Sequence, residues 1–183
     1  MNVTGSSMWP WPSPLDDGAA SHLTVGTLLP QVALPSSAGV DIDLSMLKGR
    51  IVVFVYPFTG APGVPNPPGW DDIPGAHGST PEAEGFRDLM PMFAVRSAKV
   101  FGLSSQAVAE QEAFARRAAI TYPLLSDMAL RLSDALRLPR FETGGSIYLK
   151  RLTLLAIDGR ITRCIYPVYP PHTHAAEVLA ALG

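Results

Sequence analysis

Apolar positions fall in short blocks separated by polar or Pro/Gly-rich breaks, and the spacing within each block changes along the chain. Residues 51–56 (IVVFVY) are continuously apolar and largely β-branched, the pattern of a central strand covered on both faces. Pro57 closes it, since proline cannot donate to a sheet ladder. Upstream, residues 32–35 make a short strand, and residues 40–44 (VDIDL) alternate as a half-buried strand does. Downstream, Phe86, Leu89, Met90 and Phe93 recur at three- and four-residue intervals, which predicts one amphipathic helix from Pro81 to about residue 96. A buried strand over 99–104 follows, then a helix to about residue 119. A short strand with a turn is expected over 120–127 and a helix over 129–136. Residues 147–157 read as one long strand, joined to a partner at 161–166 through the turn signal Asp158-Gly159. An amphipathic helix over 172–182 ends the chain. Strands alternating with helices predict an α/β domain, a mixed sheet with helices on both faces.

Between strand 51–56 and the helix lies a Pro/Gly-rich excursion that ends in Gly78-Ser79-Thr80-Pro81-Glu82. Backbone N–H groups at a helix N-terminus, just past a strand's carboxyl end, favour anions and nascent negative charge. A cysteine there would be a thiolate of lowered pKa. The chain has Ser79. Ser79 with Glu82 fits a capping box; alternatively Thr80 caps and Pro81 is the first helical residue. Residues 1–22 have no period and are rich in Ser, Pro, Gly and Asp, so a flexible extension ahead of a single domain over 23–183 is expected. Trp9 and Trp11 in it either rest on the surface or form a lid or dimer contact.

Composition narrows the partners. With 183 residues, 47% of them hydrophobic, the chain can bury a substantial core. A net charge of −2 without a basic stripe argues against nucleic acid. No apolar run reaches the length of a membrane span, and no signal-peptide pattern opens the chain, so the expected location is cytoplasmic. The 4 histidines show no ligand spacing with carboxylates, so no metal is expected; no cofactor is expected either. One cysteine, Cys164, rules out an internal disulfide. It sits in a strand pattern and is expected to pack as a small apolar side chain.

The stretch 56–88 resembles the active-site region of the peroxiredoxins, nearest the bacterioferritin-comigratory-protein (peroxiredoxin Q) type. The resemblance is carried by Tyr56-Pro57, Thr59-Gly60, Pro62-Gly63, Gly69-Trp70-Asp71, Ile73-Pro74-Gly75-Ala76, Thr80-Pro81-Glu82 and Phe86-Arg87-Asp88. It implies a thioredoxin-like fold with the extra N-terminal strands of peroxiredoxins. By the same resemblance, Ser79 stands where the family has its peroxide-attacking cysteine, and Glu84 where many members have a resolving cysteine. Arg151 matches the arginine aimed at that cysteine, Thr59 and Pro57 border the pocket, and Trp70 and Thr80 help to shape it. His77 stands where the branch often has arginine, and is a candidate base. Ala76 replaces the family's usual threonine.

Three readings of the site follow. In the first, both cysteines are lost and the pocket binds a small organic molecule, or transforms it by acid–base chemistry, through Ser79, Arg151, His77 and Glu84. In the second, a thiol-dependent hydroperoxide reductase is seen with serine at position 79, and a thioredoxin-type reductant is a partner only if that residue is natively cysteine. In the third, the chain is a catalytically silent binding or scaffold protein. A homodimer is the protein association the resemblance suggests.

Overall fold

The computed structural model describes residues 9–183. Two short strands, β1 (Ala33–Pro35) and β2 (Asp41–Asp43), pair antiparallel ahead of the central strand β3 (Arg50–Val55). The excursion follows and delivers the chain to α1 (Ser79–Asp88) and α2 (Met90–Val95). β4 (Ala98–Ser104), α3 (Val108–Arg117), β5 (Leu124–Ser126) and α4 (Arg131–Leu136) come next. A hairpin of β6 (Arg140–Thr143) and β7 (Ser146–Leu149) precedes β8 (Leu152–Ile157), β9 (Arg160–Ile165) and α5 (His174–Ala181). The main sheet has the order β5-β4-β3-β8-β9. β3 runs parallel to β4 and antiparallel to β8, so the central strand joins a parallel half to an antiparallel half.

Alternation along β3 divides the core in two, because successive side chains point to opposite faces. Val52, Phe54 and Tyr56 pack with Ala83 and Phe86 of α1, Phe93 of α2, Phe114 of α3 and Val178 of α5. Ile51, Val53 and Val55 pack on the other face with Leu34, Leu44, Leu132 and Leu136. Helices therefore cover both faces of a mixed sheet, as the strand–helix alternation predicts.

Two elements expected to be continuous are interrupted. The helix predicted over 81–96 is two helices, broken at Leu89 (φ −98°, ψ 5°). Pro91 explains the break: it lacks the N–H for an i−4 bond and its ring crowds the carbonyl one turn back. The strand predicted over 147–157 is β7 and β8, separated at Lys150 and Arg151. β7 leaves the main sheet and pairs with β6 through Gly144-Gly145, both at positive φ. The apolar phase shifts at this point, from Ile147 and Leu149 to Leu152 and Leu154 across the charged pair Lys150-Arg151, a signal that reading the run as one strand passes over.

The capping box is also not formed. Gly78 is the N-cap of α1, and no side chain caps that end. Gly78 has φ +108°, and a Cβ there would lie 2.2 Å from Pro171 Cγ and 2.8 Å from Trp9 Cζ2. Only glycine can turn the chain at this point while two other segments press against it.

Residues 1–8 of the expected extension lie outside the described residues. Residues 9–22 run along the domain. Gly75 donates its N–H to Pro12 O at 3.1 Å, and Asp17 accepts from Lys150 Nζ and Tyr166 Oη, both at 2.7 Å. The ring of His22 bonds Leu136 O at 2.8 Å. Among the described residues no helix is long and apolar enough to cross a membrane.

Candidate active-site pocket

α1 begins just past the carboxyl end of β3, once the excursion has closed. Its buried stripe is Ser79, Glu82, Ala83 and Phe86, at i, i+3, i+4 and i+7. Two polar residues thus occupy the first turn of an otherwise apolar face. Arg151 meets them from the break between β7 and β8. Its Nη1 pairs with Glu82 Oε2, and both side chains are essentially without solvent exposure. Its Nη2 donates to Ser79 Oγ at 3.1 Å and lies 3.1–3.4 Å from the carbonyl oxygens of Gly75, Ala76 and His77. One guanidinium therefore fixes the hydroxyl, the helix's first turn and the loop leading into it.

The electrostatics of the pair are set by burial. Burial holds the Glu82 carboxyl up, to about 7, against the lowering pull of Arg151. Glu82 Oε1 and Arg151 Nε have no hydrogen-bond partner. On the far side of α1, His174 is completely buried, with its Nε2 2.7 Å from Thr153 Oγ1. Burial and then the charge of Arg151 push its imidazole down to about 4, so it is neutral in the folded protein at ordinary pH.

Above Ser79 is a cavity of about 260 Å³. Its lining is mixed and mostly polar in surface, with Trp9, Trp11, Phe58 and Trp70 around the hydroxyls of Ser79 and Thr80 and the amide of Asn66. Trp11 stacks on His77 (3.6 Å between centroids, 9° between planes), and Trp9 stacks on His172 at 5.1 Å. Both indoles belong to the N-terminal segment and roof the cavity. His77 Nε2 is bonded to Asp71 Oδ1 at 2.8 Å, which orients the ring. Trp70 is 4% exposed and anchors an aromatic cluster with Phe58, Phe141 and Tyr148.

The structure brings together Ser79, Arg151, His77, Trp70 and Thr80. It does not bring in the others. Glu84 turns away to Arg87, 3.8 Å off along the same helix. Thr59 is buried with both its N–H and hydroxyl on Gln106 Oε1 (2.9 and 3.1 Å). Pro57 is buried behind the lining. Glu82, read from sequence as half of a capping box, is instead the partner of the arginine. Its place in the i, i+3, i+4, i+7 stripe was the available signal. Asp71, the orienting partner of His77, had no such signal. Cys164 lies on β9 outside this cavity, and burial raises its thiol to about 11, so it is unreactive. Among the described residues no cluster of His, Cys, Asp and Glu could hold a metal ion.

Comparison with known proteins places this geometry. Residues 74–162 match the model of the AhpC/TSA family. A putative peroxiredoxin of Mycobacterium tuberculosis is 29% identical over 163 residues, covering 87% of this chain and 96% of that protein. The chloroplastic peroxiredoxin Q of Gentiana triflora is 27% identical, over 88% of this chain and 68% of its own length. Among solved structures, peroxidoxin BcpB from Mycobacterium tuberculosis superposes with a TM-score of 0.71 at 28% identity, over 88% of this chain and 97% of that one. A cysteine-to-serine mutant of Xylella fastidiosa PrxQ gives a TM-score of 0.71 at 27% identity, over 88% and 96%. Family model, relatives and solved structures agree on one relationship: residues 74–162 carry the AhpC/TSA match, and most of the chain is similar to thioredoxin-fold peroxiredoxins of the peroxiredoxin Q and Bcp type.

Proposed function

We propose that the Ser79 cavity binds a small organic molecule through polar, non-redox contacts, and that His77 is its acid–base group. The observation that carries this reading is the bond from Arg151 Nη2 to Ser79 Oγ at the floor of the cavity. Serine cannot follow the family's sulfur chemistry, because its oxygen has no sulfenic state to pass through. What remains is a preset field of donors: the start of α1, with its positive dipole end, and a guanidinium beneath the hydroxyl. Such a floor suits a carbonyl or carboxylate oxygen, while the indole walls suit a flat apolar body. His77, held by Asp71 and lining the same space, is the side chain placed to take or give a proton there. Glu84, paired along the helix surface, is given no part.

The test is a thermal-shift screen of small carbonyl and carboxylate compounds on the chain as it stands and on Thr80→Trp. Thr80 is exposed and lines the cavity, so the indole fills the space from outside the buried network. Compounds that raise Tm in the first protein and not in the second support the reading. If no compound behaves so, the cavity is unused and the chain is a silent binding or scaffold protein.

The retained arginine-to-hydroxyl geometry favours a second reading. With cysteine at position 79, the same pocket would serve thiol-dependent hydroperoxide reduction, resolved by an external thioredoxin-type reductant because the half-buried Cys164 does not line the cavity. Hydroperoxide turnover by Ser79→Cys tests it.

A further inference from the structure

A second cavity, of about 430 Å³, lies on the other side of the loop that leads into α1. Its size is within the usual range for small-molecule sites, about 300–1,000 Å³. Its apolar walls come from Pro14 and Leu15 of the N-terminal segment, Ile73 and Pro74 of the loop, Phe141 of β6 and Pro167 beyond β9. Five polar residues complete it: Ser13, Asp17, Lys150, Arg151 and Tyr166.

The hydrogen-bonding capacity left at that polar end is one-sided. Most of the acceptor capacity of Asp17 is used: Oδ1 accepts from Ala19 N–H at 3.1 Å and from Tyr166 Oη at 2.7 Å, and Oδ2 accepts from Lys150 Nζ at 2.7 Å. Lys150 has three N–H donors, of which Asp17 uses one. Arg151 shares the wall, and its Nε is the guanidinium nitrogen without an acceptor. Arg151 Nε is itself buried, so the charged positions left open at this end of the apolar space are the remaining N–H donors of Lys150. A ligand that brings further donors finds no free carboxylate; one that brings acceptor oxygens finds an ammonium.

We propose that this cavity is a binding site for an amphipathic monocarboxylate, a medium-chain fatty acid or similar, with its carboxylate on Lys150 and its apolar body between the N-terminal segment and the loop at Ile73-Pro74. It is separate from the Ser79 cavity and does not depend on what that cavity binds. The two share Arg151 as a common support, since the guanidinium that lines this one also holds Ser79 and the carbonyls of residues 75–77.

The test is titration of the full chain with octanoate and with octanol, read by calorimetry and by NMR of isoleucine and leucine methyl groups. Octanoate is expected to bind about tenfold or more tighter than octanol, the difference that one charge-assisted contact makes. Contacts from its chain should appear at the methyls of Ile73 and Leu15. Lys150→Gln should reduce octanoate to the level of octanol and leave octanol unchanged. Ile73→Trp should abolish both, whereas Thr80→Trp, which fills the Ser79 cavity, should abolish neither. The proposal is overturned if octanoate fails to bind, if acid and alcohol bind alike, or if the ligand contacts fall away from Ile73 and Leu15. Those contacts are read on the unaltered protein, so the result stands even if Ile73→Trp does not fold.

Discussion

Arg151 and Glu82 form an ion pair from which water is excluded on both sides, although they are separated by much of the chain. The arginine enters from the gap between two strands, and the glutamate from the first turn of the helix that the strand β3 leads to. Everything placed around Ser79 hangs on that pair, because the same guanidinium reaches the hydroxyl and the loop carbonyls.

Removing one partner should therefore be far worse than removing both. Above pH 7, where Glu82 is ionised in the parent, Glu82→Gln leaves a buried guanidinium charge uncompensated, and urea unfolding there should show a loss of about 3–5 kcal/mol. Glu82→Leu combined with Arg151→Met should recover most of it, while abolishing ligand binding over Ser79. If the single and double changes cost the same, the pair is not coupled.

Two buried groups pull the pH dependence of stability in opposite directions. Glu82 holds its proton up to about 7 when folded, against an ordinary value of 4.5. Between those values the folded chain binds more protons than the unfolded one, so this contribution is full below about 4.5 and declines as pH rises to about 7. His174 is lowered to about 4 from 6.5. Its contribution is full above 6.5 and declines as pH falls to about 4. The two nearly cancel across their shared window. Replacing His174 with Phe should expose a stability that falls with rising pH relative to the parent; Glu82→Gln should expose one that rises. Denaturant melts across that window measure both slopes, and parallel profiles for the two variants would contradict the assignment.

Ser79→Cys should give a thiol that titrates below the ordinary value of about 8.5, since the start of α1 and Arg151 Nη2 both favour the thiolate. Thiolate absorbance against pH checks the shift, and stopped-flow mixing with hydrogen peroxide checks its reactivity. A thiol that titrates like free cysteine and reacts sluggishly would mean that the arginine does not act on position 79.

Gly78→Ala should destabilise by about 1–3 kcal/mol from backbone strain alone, and by more if Pro171 and Trp9 cannot withdraw from the new methyl. Tryptophan fluorescence should shift with it, because Trp9 is one of the two residues pressed against Gly78. A wild-type Tm and an unchanged spectrum would show that the helix start tolerates ordinary side chains.

The sequence made the layered sheet legible because β3, β4 and α1 carry clean periods: continuous apolar runs in the first two and a four-residue stripe in the third. It made Ser79, Arg151, His77, Trp70 and Thr80 legible through the family motif. Breaks were harder to see. The consecutive charges Lys150 and Arg151 shift the apolar phase by one position where the chain changes sheets, but two residues within an apolar run are a weak mark of a strand end. Glu82 was misread because capping is a local rule, whereas its real partner sits in a distant strand gap. Thr59 matched the motif, yet its hydroxyl is taken by Gln106, a pairing that no local pattern encodes.

The segment ahead of Leu23 has a practical consequence for how the protein is handled. Its irregular, Ser- and Pro-rich sequence invites trimming the chain there. Such a cut would remove the indoles that roof one cavity and the Pro14-Leu15 wall of the other, along with Asp17, the anchor of Lys150. A shortened protein could fold well and still present two open basins, and affinities measured on it would belong to a different molecule.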